Sequence, residues 1–213
     1  MLARVVERTR RARRVHEVAV ATTVAPQDDP LADLCQSRGW PFTRGKERDL
    51  LDRFHAAAIV HRADAVVRIT SDCPLIDPNI IDRVVEAFGP GDCDYASDTL
   101  EPRTFPRGLD VEVVGFKALE RAWAEDTKPE WREHATPYIY RHPERFRLRA
   151  VRNDRDLSFH RWTVDTPEDY EFVCRVYDHF GHDRFVWTDV LKVLDEHPEW
   201  VEINRHVQQK SIP

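Results

Sequence analysis

Apolar and polar positions follow two different spacings along the first 90 residues of the chain. Segments with apolar residues three or four positions apart predict helices, and short runs rich in β-branched residues predict strands. Asp77-Pro78 predicts a helix start, because Asp is a favoured N-cap and Pro is tolerated at the first helical position. The predicted elements are helix 2–14, strand 15–22, helix 30–38 ending at Gly39, strand 40–44, helix 49–62, strand 64–70 and a helix from 78 to 88.

The spacing becomes less regular after residue 90. The predicted strands are 92–98, 108–115, 145–152 and a strand-to-helix junction at 162–167, and the predicted helices are 116–125, 130–141, 167–180 and 187–196. Alternating helices and strands imply parallel βαβ units with right-handed crossovers. We therefore predict a single α/β domain over residues 1–196, with a mixed sheet and helices on both faces, followed by a polar tail at 197–213.

Composition excludes several classes of protein. The chain has 213 residues and a net charge of −6, whereas a general nucleic-acid binder usually carries a basic surface. No apolar run approaches the ~20 residues that a membrane-spanning helix needs. The four cysteines form no CxxC pair, which favours reduced thiols in the cytoplasm over disulfides or structural zinc. We expect no nucleic-acid partner, no membrane insertion and a cytoplasmic location.

Two aspartates stand where predicted strands end. Asp72 follows the apolar run 64–70 and precedes a Pro-led helix, and Asp165 has the same surroundings before Pro167. Ligands of open α/β sheets bind at the carboxyl ends of the strands, and two carboxylates there could hold Mg²⁺. For Asp165 an alternative stays open, because Asp165-Thr166-Pro167-Glu168 also reads as a helix cap with Thr166 as the N-cap.

Other polar residues could line a pocket beside these aspartates. Asp110 and Glu112 fall on one face of a predicted strand, which is either a solvent-facing surface or a pocket wall that recognises a hydroxylated substrate. Arg103 and Arg107 lie in a Pro-rich loop, and arginine forks suit carboxylates and phosphates. The remaining candidates are His134 near the start of a predicted helix, for which a structural role is the alternative, and His160 and Arg161 before Trp162.

Four segments together resemble a known family. ITSDCPLIDP at 69–78, GLDVEVV at 108–114, REHATPYI at 132–139 and RWTVDTPEDYE at 161–171 occur in the order found in spore-coat-polysaccharide-type cytidylyltransferases. These enzymes belong to the broader superfamily of acylneuraminate and deoxyoctulosonate CMP-sugar synthetases. The resemblance covers roughly residues 2–180.

The resemblance implies a Rossmann-like nucleotide-diphospho-sugar transferase fold with a mixed, mostly parallel sheet. It implies transfer of CMP from CTP to an acidic sugar or related acceptor, with release of pyrophosphate. Asp72 and Asp165 match the two Mg²⁺ carboxylates and are the expected catalytic and metal residues. The expected substrate-binding residues are Arg103, Arg107, Asp110, Glu112, His134 and Arg161, and a homodimer is plausible.

The start of the chain departs from the family pattern. Similar enzymes open with a strand and a Gly/Arg/Lys-containing loop that wraps CTP, whereas Met1 falls inside the helix that would follow. We expect a missing central strand to leave apolar surface and unpaired backbone groups. Either the natural chain is longer, or the protein is a relative that no longer binds CTP. The alternative functions are therefore a glycosyltransferase-like enzyme on the same fold and a non-catalytic binding or assembly subunit.

Overall fold

The computed structural model describes residues 1–89 and 91–209, so Pro90 and the last four positions of the predicted tail lie outside the described residues. The strands are β1 Val20–Thr23, β2 Phe42–Gly45, β3 Ala65–Arg68, β4 Tyr95–Ser97, β5 Glu112–Gly115 and β6 Leu148–Ala150. The α-helices are α1 Leu2–Thr9, α2 Asp29–Arg38, α3 Leu50–Val60, α4 Pro78–Phe88, α5 Phe116–Glu125, α6 Pro129–Arg132, α7 Pro137–Tyr140, α8 Pro167–Phe180 and α9 Trp187–Glu196. Short 3₁₀ helices span Pro26–Asp28 and Pro198–Trp200.

The described strands form two sheets. β1 and β2 pair in parallel, and a second sheet has the order β3-β5-β4-β6. In that sheet β5 runs antiparallel to both of its neighbours, while β3, β4 and β6 share one direction. The register places Arg68, Glu112, Ser97 and Ala150 in one row across the sheet. The ends of β3, β4 and β6 and the start of β5 therefore lie along the same edge.

Helices cover both faces of the larger sheet, as predicted. Val113 packs with residues of α4, α8 and α9, whereas its neighbour Val114 packs with residues of α3, α5 and α7. This division follows from the alternation of side chains along a strand, since successive residues of β5 enter different cores. The α/β fold class predicted from the sequence is confirmed.

β1 and β3 are both edge strands. Within residues 1–89 and 91–209, β1 pairs only with β2, and β3 pairs only with β5. Both strands pack against α3, and every residue of β3 keeps partial solvent exposure.

The first predicted helix and strand were too long. α1 ends at Thr9 rather than at residue 14, because the backbone amides of Arg13 and Arg14 bind the carboxylate of Asp82 at 3.1 and 2.8 Å. The predicted strand 15–22 is reduced to β1, whose register is set by its pairing with β2.

The predicted helix 130–141 is wrong. The structure has two four-residue helices, α6 and α7, with a break between them in which Ala135 has φ +68°. Pro137 contributes to the break, since its nitrogen carries no hydrogen to donate to the carbonyl one helical turn earlier. The break turns the chain so that Thr136 reaches the sheet.

In the predicted strand-to-helix junction at 162–167, the helix does begin at Pro167, but the strand part is wrong. Only an isolated parallel bridge joins Arg161 to Arg107 there. Trp162 donates its amide to the carbonyl of Arg107 at 2.7 Å, whereas Val164 donates to Asp72 at 2.8 Å. The segment changes partner within two residues, so no regular ladder forms.

The chain continues to pack against the domain after α9. Trp200, Val201 and Ile203 contact the larger core, and Asn204 is buried. In the part of the chain that the structure describes, no helix combines the length and the apolar content needed to cross a membrane.

Candidate active site

The candidate site lies at the edge where β3 and β4 end and β5 begins. Asp72 follows β3, Asp98 follows β4, and Asp110 and Glu112 lie at the start of β5. In open α/β sheets this edge is the usual place for a ligand. The fold therefore brings together carboxylates that are far apart in the sequence.

Asp72 is tied to the segment that enters α8. Its carbonyl oxygen accepts the amide of Val164 at 2.8 Å and the hydroxyl of Thr163 at 3.3 Å. Among the described residues, its carboxylate accepts one hydrogen bond, from the Cys73 thiol at 3.5 Å. Asp72 is partly exposed, so its carboxylate is available to a ligand.

Asp165 lies one residue beyond Val164. Its side chain is 46% exposed, and Oδ2 accepts a hydrogen bond from Arg161 Nη2 at 2.6 Å. The helix cap considered in the sequence does exist, but it uses Thr166 as the N-cap and Asp169 as the reciprocal residue. Asp165 itself stands outside this capping box and keeps one carboxylate oxygen without a partner among the described residues.

Asp169 is the buried anchor beneath Asp165. Its carboxylate accepts two hydrogen bonds from Arg161, both at 2.9 Å, the amides of Asp165 and Thr166, and the side chain of Asn204. Burial opposes the charge of Asp169, but the hydrogen bonds from Arg161, from the Asp165 amide and from Asn204, together with the charge of Arg161, lower the pKa of this carboxyl group. Arg161 is thereby held between Asp169 and Asp165 and fixes the position of Asp165.

A second cluster contains the buried Asp98 and the partly exposed Asp110 and Arg103. Arg103 donates to both carboxylate oxygens of Asp110, at 2.8 and 2.7 Å, and the amide of Gly108 adds a third bond. Asp98 accepts the amide of Val111 at 2.8 Å, and its other oxygen is buried with no hydrogen-bond partner in the described part of the chain. Burial, together with the nearby charge of Asp110, raises the pKa of Asp98 well above its ordinary value.

Arg107 is fixed by its backbone rather than by its side chain. Its amide donates to the carbonyl of His160 at 3.0 Å, and its carbonyl accepts from Trp162 at 2.7 Å. Gly108 permits this approach, because its φ is +101° and a Cβ there would lie 2.5 Å from the carbonyl carbon of Trp162. The Arg107 guanidinium is partly buried and has no partner among the described residues, and burial together with nearby Arg103 lowers its pKa.

Glu112 and His134 differ in their surroundings. Glu112 is buried and accepts hydrogen bonds from Arg68, from the hydroxyl of Tyr95 and from the hydroxyl of Thr136. Asp110 bonds to Arg103 instead, so the two carboxylates predicted for one strand face belong to separate clusters. His134 is partly exposed and lies two residues before Thr136, in the break between α6 and α7.

Sequence reasoning missed three residues of this region. Arg68 is a lone charge at the end of an apolar run, and this position was the available signal. Asp98 directly follows a predicted strand, like Asp72. Asp169 is recognisable as the third residue after Thr166 in a capping box, but nothing in the sequence indicates that Arg161 and Asn204 share it.

The donor set at this edge suits Mg²⁺ better than a metal that needs several protein ligands. No group of three or more His, Cys, Asp or Glu side chains placed to hold a metal ion is found in residues 1–89 and 91–209. Mg²⁺ is commonly bound by one or two carboxylates, with waters and substrate phosphates completing its shell. Asp72 and Asp165, with their unpartnered carboxylate oxygens, fit that pattern.

Comparison with known proteins identifies the family. A family model described as Cytidylyltransferase matches residues 1–191. The chain belongs to the cytidylyltransferase family. This membership confirms the resemblance to spore-coat-polysaccharide-type cytidylyltransferases, and it places the chain among the nucleotidyltransferases.

Two curated relatives of this cytidylyltransferase extend over most of the chain. The uncharacterized protein MJ1063 of Methanocaldococcus jannaschii is 35% identical over 207 residues, which are 96% of this chain and 84% of that protein. The spore coat polysaccharide biosynthesis protein SpsF of Bacillus subtilis is 28% identical over 186 residues, which are 85% of this chain and 76% of that protein.

Solved structures confirm the fold. A cytidylyltransferase from Leptospira borgpetersenii has a TM-score of 0.89 and 31% identity, and the match covers 99% of this chain and 87% of that chain. A CMP:2-keto-3-deoxy-manno-octonic acid synthetase complexed with CTP has a TM-score of 0.61 and 16% identity, with 84% and 87% covered. The second likeness shows the fold alone.

Proposed function

We propose that this cytidylyltransferase transfers CMP from CTP to an acidic sugar or related acceptor and releases pyrophosphate. Family membership supports the use of a cytidine nucleotide. The name of the SpsF relative supports a sugar acceptor in surface polysaccharide biosynthesis, and secondary-metabolite biosynthesis stays part of the proposal. One observation carries the proposal: the bond between Val164 and Asp72 brings the Asp72 turn against the segment that presents Asp165.

Asp72 and Asp165 are the proposed catalytic and metal-binding residues. When bound, Mg²⁺ would neutralise the charge that develops on the phosphate oxygens of CTP. Arg161 is fixed by its hydrogen bonds to Asp169 and donates another to Asp165. The Asp165 carboxylate is therefore positioned before a substrate arrives. Such preorganisation is the main contribution that a protein makes to phosphoryl transfer.

The acceptor is proposed to bind beside this pair. Arg107, with a guanidinium that has no partner in the described part of the chain, is suited to an acidic group of the acceptor. Arg103 and Asp110 neutralise one another and would shape the pocket wall. His134 is proposed to contact the acceptor, and Glu112 and Arg161 are proposed to act in substrate binding through the side chains that they hold, Arg68 and Asp165. The cytoplasmic location and the homodimer belong to the same proposal.

The experiment is a pyrophosphate-release assay with CTP, Mg²⁺ and a panel of acidic sugars that includes 2-keto-3-deoxy-manno-octonic acid. We expect release that requires both CTP and one of the acceptors. Hydrolysis of a preformed nucleotide sugar without any use of CTP would instead support the glycosyltransferase alternative. No turnover together with no thermal shift on adding CTP and Mg²⁺ would support a non-catalytic subunit.

A further inference from the structure

Arg68 is a nearly buried arginine whose hydrogen-bonding capacity is mostly unused. Its side chain is 15% exposed and lies at the end of β3, directly opposite Glu112 in the strand register. Nη1 donates to Oε1 of Glu112. Nε is buried without a hydrogen-bond partner, and Nη2 has no partner among residues 1–89 and 91–209. One guanidinium nitrogen of three is therefore used.

Glu112 holds Arg68 in one orientation. Its Oε2 accepts the hydroxyl of Tyr95 at 2.7 Å and the hydroxyl of Thr136 at 2.5 Å, while Oε1 accepts Arg68. The three donors come from β4, from the start of α7 and from β3, and they lock the carboxylate from three sides. Burial opposes the charge of Arg68, and the carboxylate of Glu112 outweighs this effect and raises its pKa.

This arrangement is costly unless a further partner exists. A guanidinium carries five N–H donors, and buried donors without acceptors lose the hydrogen bonds that water would provide. The ion pair with Glu112 leaves Nε buried without an acceptor among the described residues, and it leaves Nη2 without a partner there. A planar oxyanion would use both atoms at once, because this edge of a guanidinium fork matches two oxygens of a carboxylate or phosphate.

The position of Arg68 is that of a substrate contact. It lies four residues before Asp72, at the same edge of the sheet. β3 has no strand on its other side in the described part of the chain. The oriented charge therefore lies beside the proposed reaction centre, where anionic substrates would be present.

We propose that Arg68 binds an oxyanion of a substrate through Nε and Nη2, and that Glu112 is its positioning residue. The proposal rests on the proposed function for the source of the anion, which is either a phosphate of the nucleotide or the carboxylate of the acceptor. It assigns Glu112 a role behind Arg68 rather than direct contact with the substrate, because the carboxylate of Glu112 is already satisfied.

The test measures binding rather than turnover, by calorimetric titration of the protein with three probes: pyrophosphate with Mg²⁺, CTP with Mg²⁺, and 2-keto-3-deoxy-manno-octonic acid. Arg68→Met alone would leave Glu112 buried and unpaired and could unfold the protein. The double variant Arg68→Met/Glu112→Gln removes both charges and keeps acceptors for Tyr95 and Thr136. Replacing a buried ion pair by a neutral pair is often close to neutral for stability.

We expect the double variant to bind at least one probe about 10- to 100-fold more weakly than the wild type, since a charge-assisted hydrogen bond is lost. A loss confined to pyrophosphate and CTP identifies the phosphate, and a loss confined to the sugar acid identifies the carboxylate. Glu112→Gln alone keeps the guanidinium and should retain more affinity than the double variant. The matched control is Arg175→Met/Glu171→Gln, an exposed ion pair on α8, which should bind all probes like the wild type.

Two results would overturn the proposal. One is equal affinity of the wild type and the folded Arg68→Met/Glu112→Gln variant for every probe, which would leave Arg68 as a structural partner of Glu112 only. The other is failure of the wild-type protein to bind any of the three oxyanions. Failure of the proposed function looks different: pyrophosphate binding that depends on Arg68 persists, but no acceptor releases pyrophosphate from CTP.

Discussion

The amide of Val164 donates a 2.8 Å hydrogen bond to the carbonyl oxygen of Asp72, which joins the turn after β3 to the segment that enters α8. Thr163 adds a second bond to the same oxygen. Because Asp165 follows Val164 directly, its backbone cannot move independently of Asp72. The two candidate metal ligands are therefore held by one backbone connection between distant parts of the sequence.

Substitution of Asp169 should mainly lower the stability of the protein, whereas substitution of Asp165 should mainly lower its activity. Asp169→Asn places an amide nitrogen against donors from Arg161, Asp165 and Thr166, so we expect a loss of about 3 kcal/mol in the free energy of unfolding. Asp165→Asn changes a half-exposed group and should cost less than about 1 kcal/mol. Urea unfolding of both variants measures this difference.

The rate of pyrophosphate release is the second property to compare between the Asp169 and Asp165 variants. On the proposed function, folded Asp165→Asn loses pyrophosphate release because a metal ligand is weakened. Equal stability of the two variants would contradict the assignment of Asp169 as the buried anchor.

Gly108 should tolerate no side chain. In Gly108→Ala the Cβ would meet the carbonyl carbon of Trp162 at 2.5 Å in addition to the strain of φ +101°. We expect a loss of more than about 3 kcal/mol in the free energy of unfolding, because both the contact and the backbone geometry are disrupted. Gly181→Ala is the control: it has φ +64° with open space around the Cβ, so only the strain of about 1 kcal/mol applies. Similar midpoints for the two variants in urea would contradict this explanation.

The contrast between these glycines illustrates what sequence can predict. Local signals were sufficient for α4, with its Asp77 cap and Pro78, and for the left-handed Gly39 at the end of α2. The family motifs pointed to Asp72 and Asp165, and the structure joins the backbones of these two segments through Val164. The close packing of Gly108 against Trp162 joins residues 54 positions apart, and no local pattern encodes it.

Local sequence patterns also could not predict which arginine pairs with which carboxylate. Alternation along a strand grouped Asp110 with Glu112, but the strand begins only at Glu112, and each carboxylate has its own arginine. Those arginines, Arg103 and Arg68, come from a loop and from another strand. Which arginine neutralises which carboxylate depends on tertiary packing, so the sequence alone left Arg68 unnoticed.

Asp98 should make the protein less stable as the pH rises. Its pKa is raised in the folded state, so the folded protein binds a proton more tightly than the unfolded chain. That contribution is fully present below the ordinary pKa of aspartate and is lost as the pH rises through the raised value. Asp98→Asn keeps an acceptor for Val111 and removes the titration, so its unfolding free energy should fall less toward alkaline pH.

The measurement is urea unfolding of the wild type and Asp98→Asn from pH 5 to pH 9. Asp92→Asn, at an exposed position, is the control and should follow the wild type over the upper part of this range. Parallel curves for the wild type and Asp98→Asn would contradict the burial of an ionisable group at this position.

The buried His160 should make the folded protein less stable at acidic pH. Burial lowers its pKa to about 4, whereas the unfolded chain has an ordinary value near 6.5. The unfolded state therefore binds the proton more tightly, and stability is lost as the pH falls from about 6.5 to about 4. The full effect is about 3 kcal/mol.

His160→Phe keeps an aromatic ring beside Phe159 and Trp162 and removes the titration. Its unfolding free energy should fall less than that of the wild type between pH 7 and pH 5. His16→Phe changes an exposed ring and is the control. An identical acid dependence in the wild type and His160→Phe would show that His160 is not protonated on unfolding.

The most direct test of the central claim is the rate of pyrophosphate release from CTP, measured against Mg²⁺ concentration for the wild type and Asp72→Asn. The account predicts wild-type release that requires Mg²⁺ and a kcat lowered about 100-fold or more in Asp72→Asn, because several kcal/mol of charge stabilisation would be lost. Asp92→Asn should match the wild type. An unchanged kcat for Asp72→Asn at saturating Mg²⁺ would contradict the account.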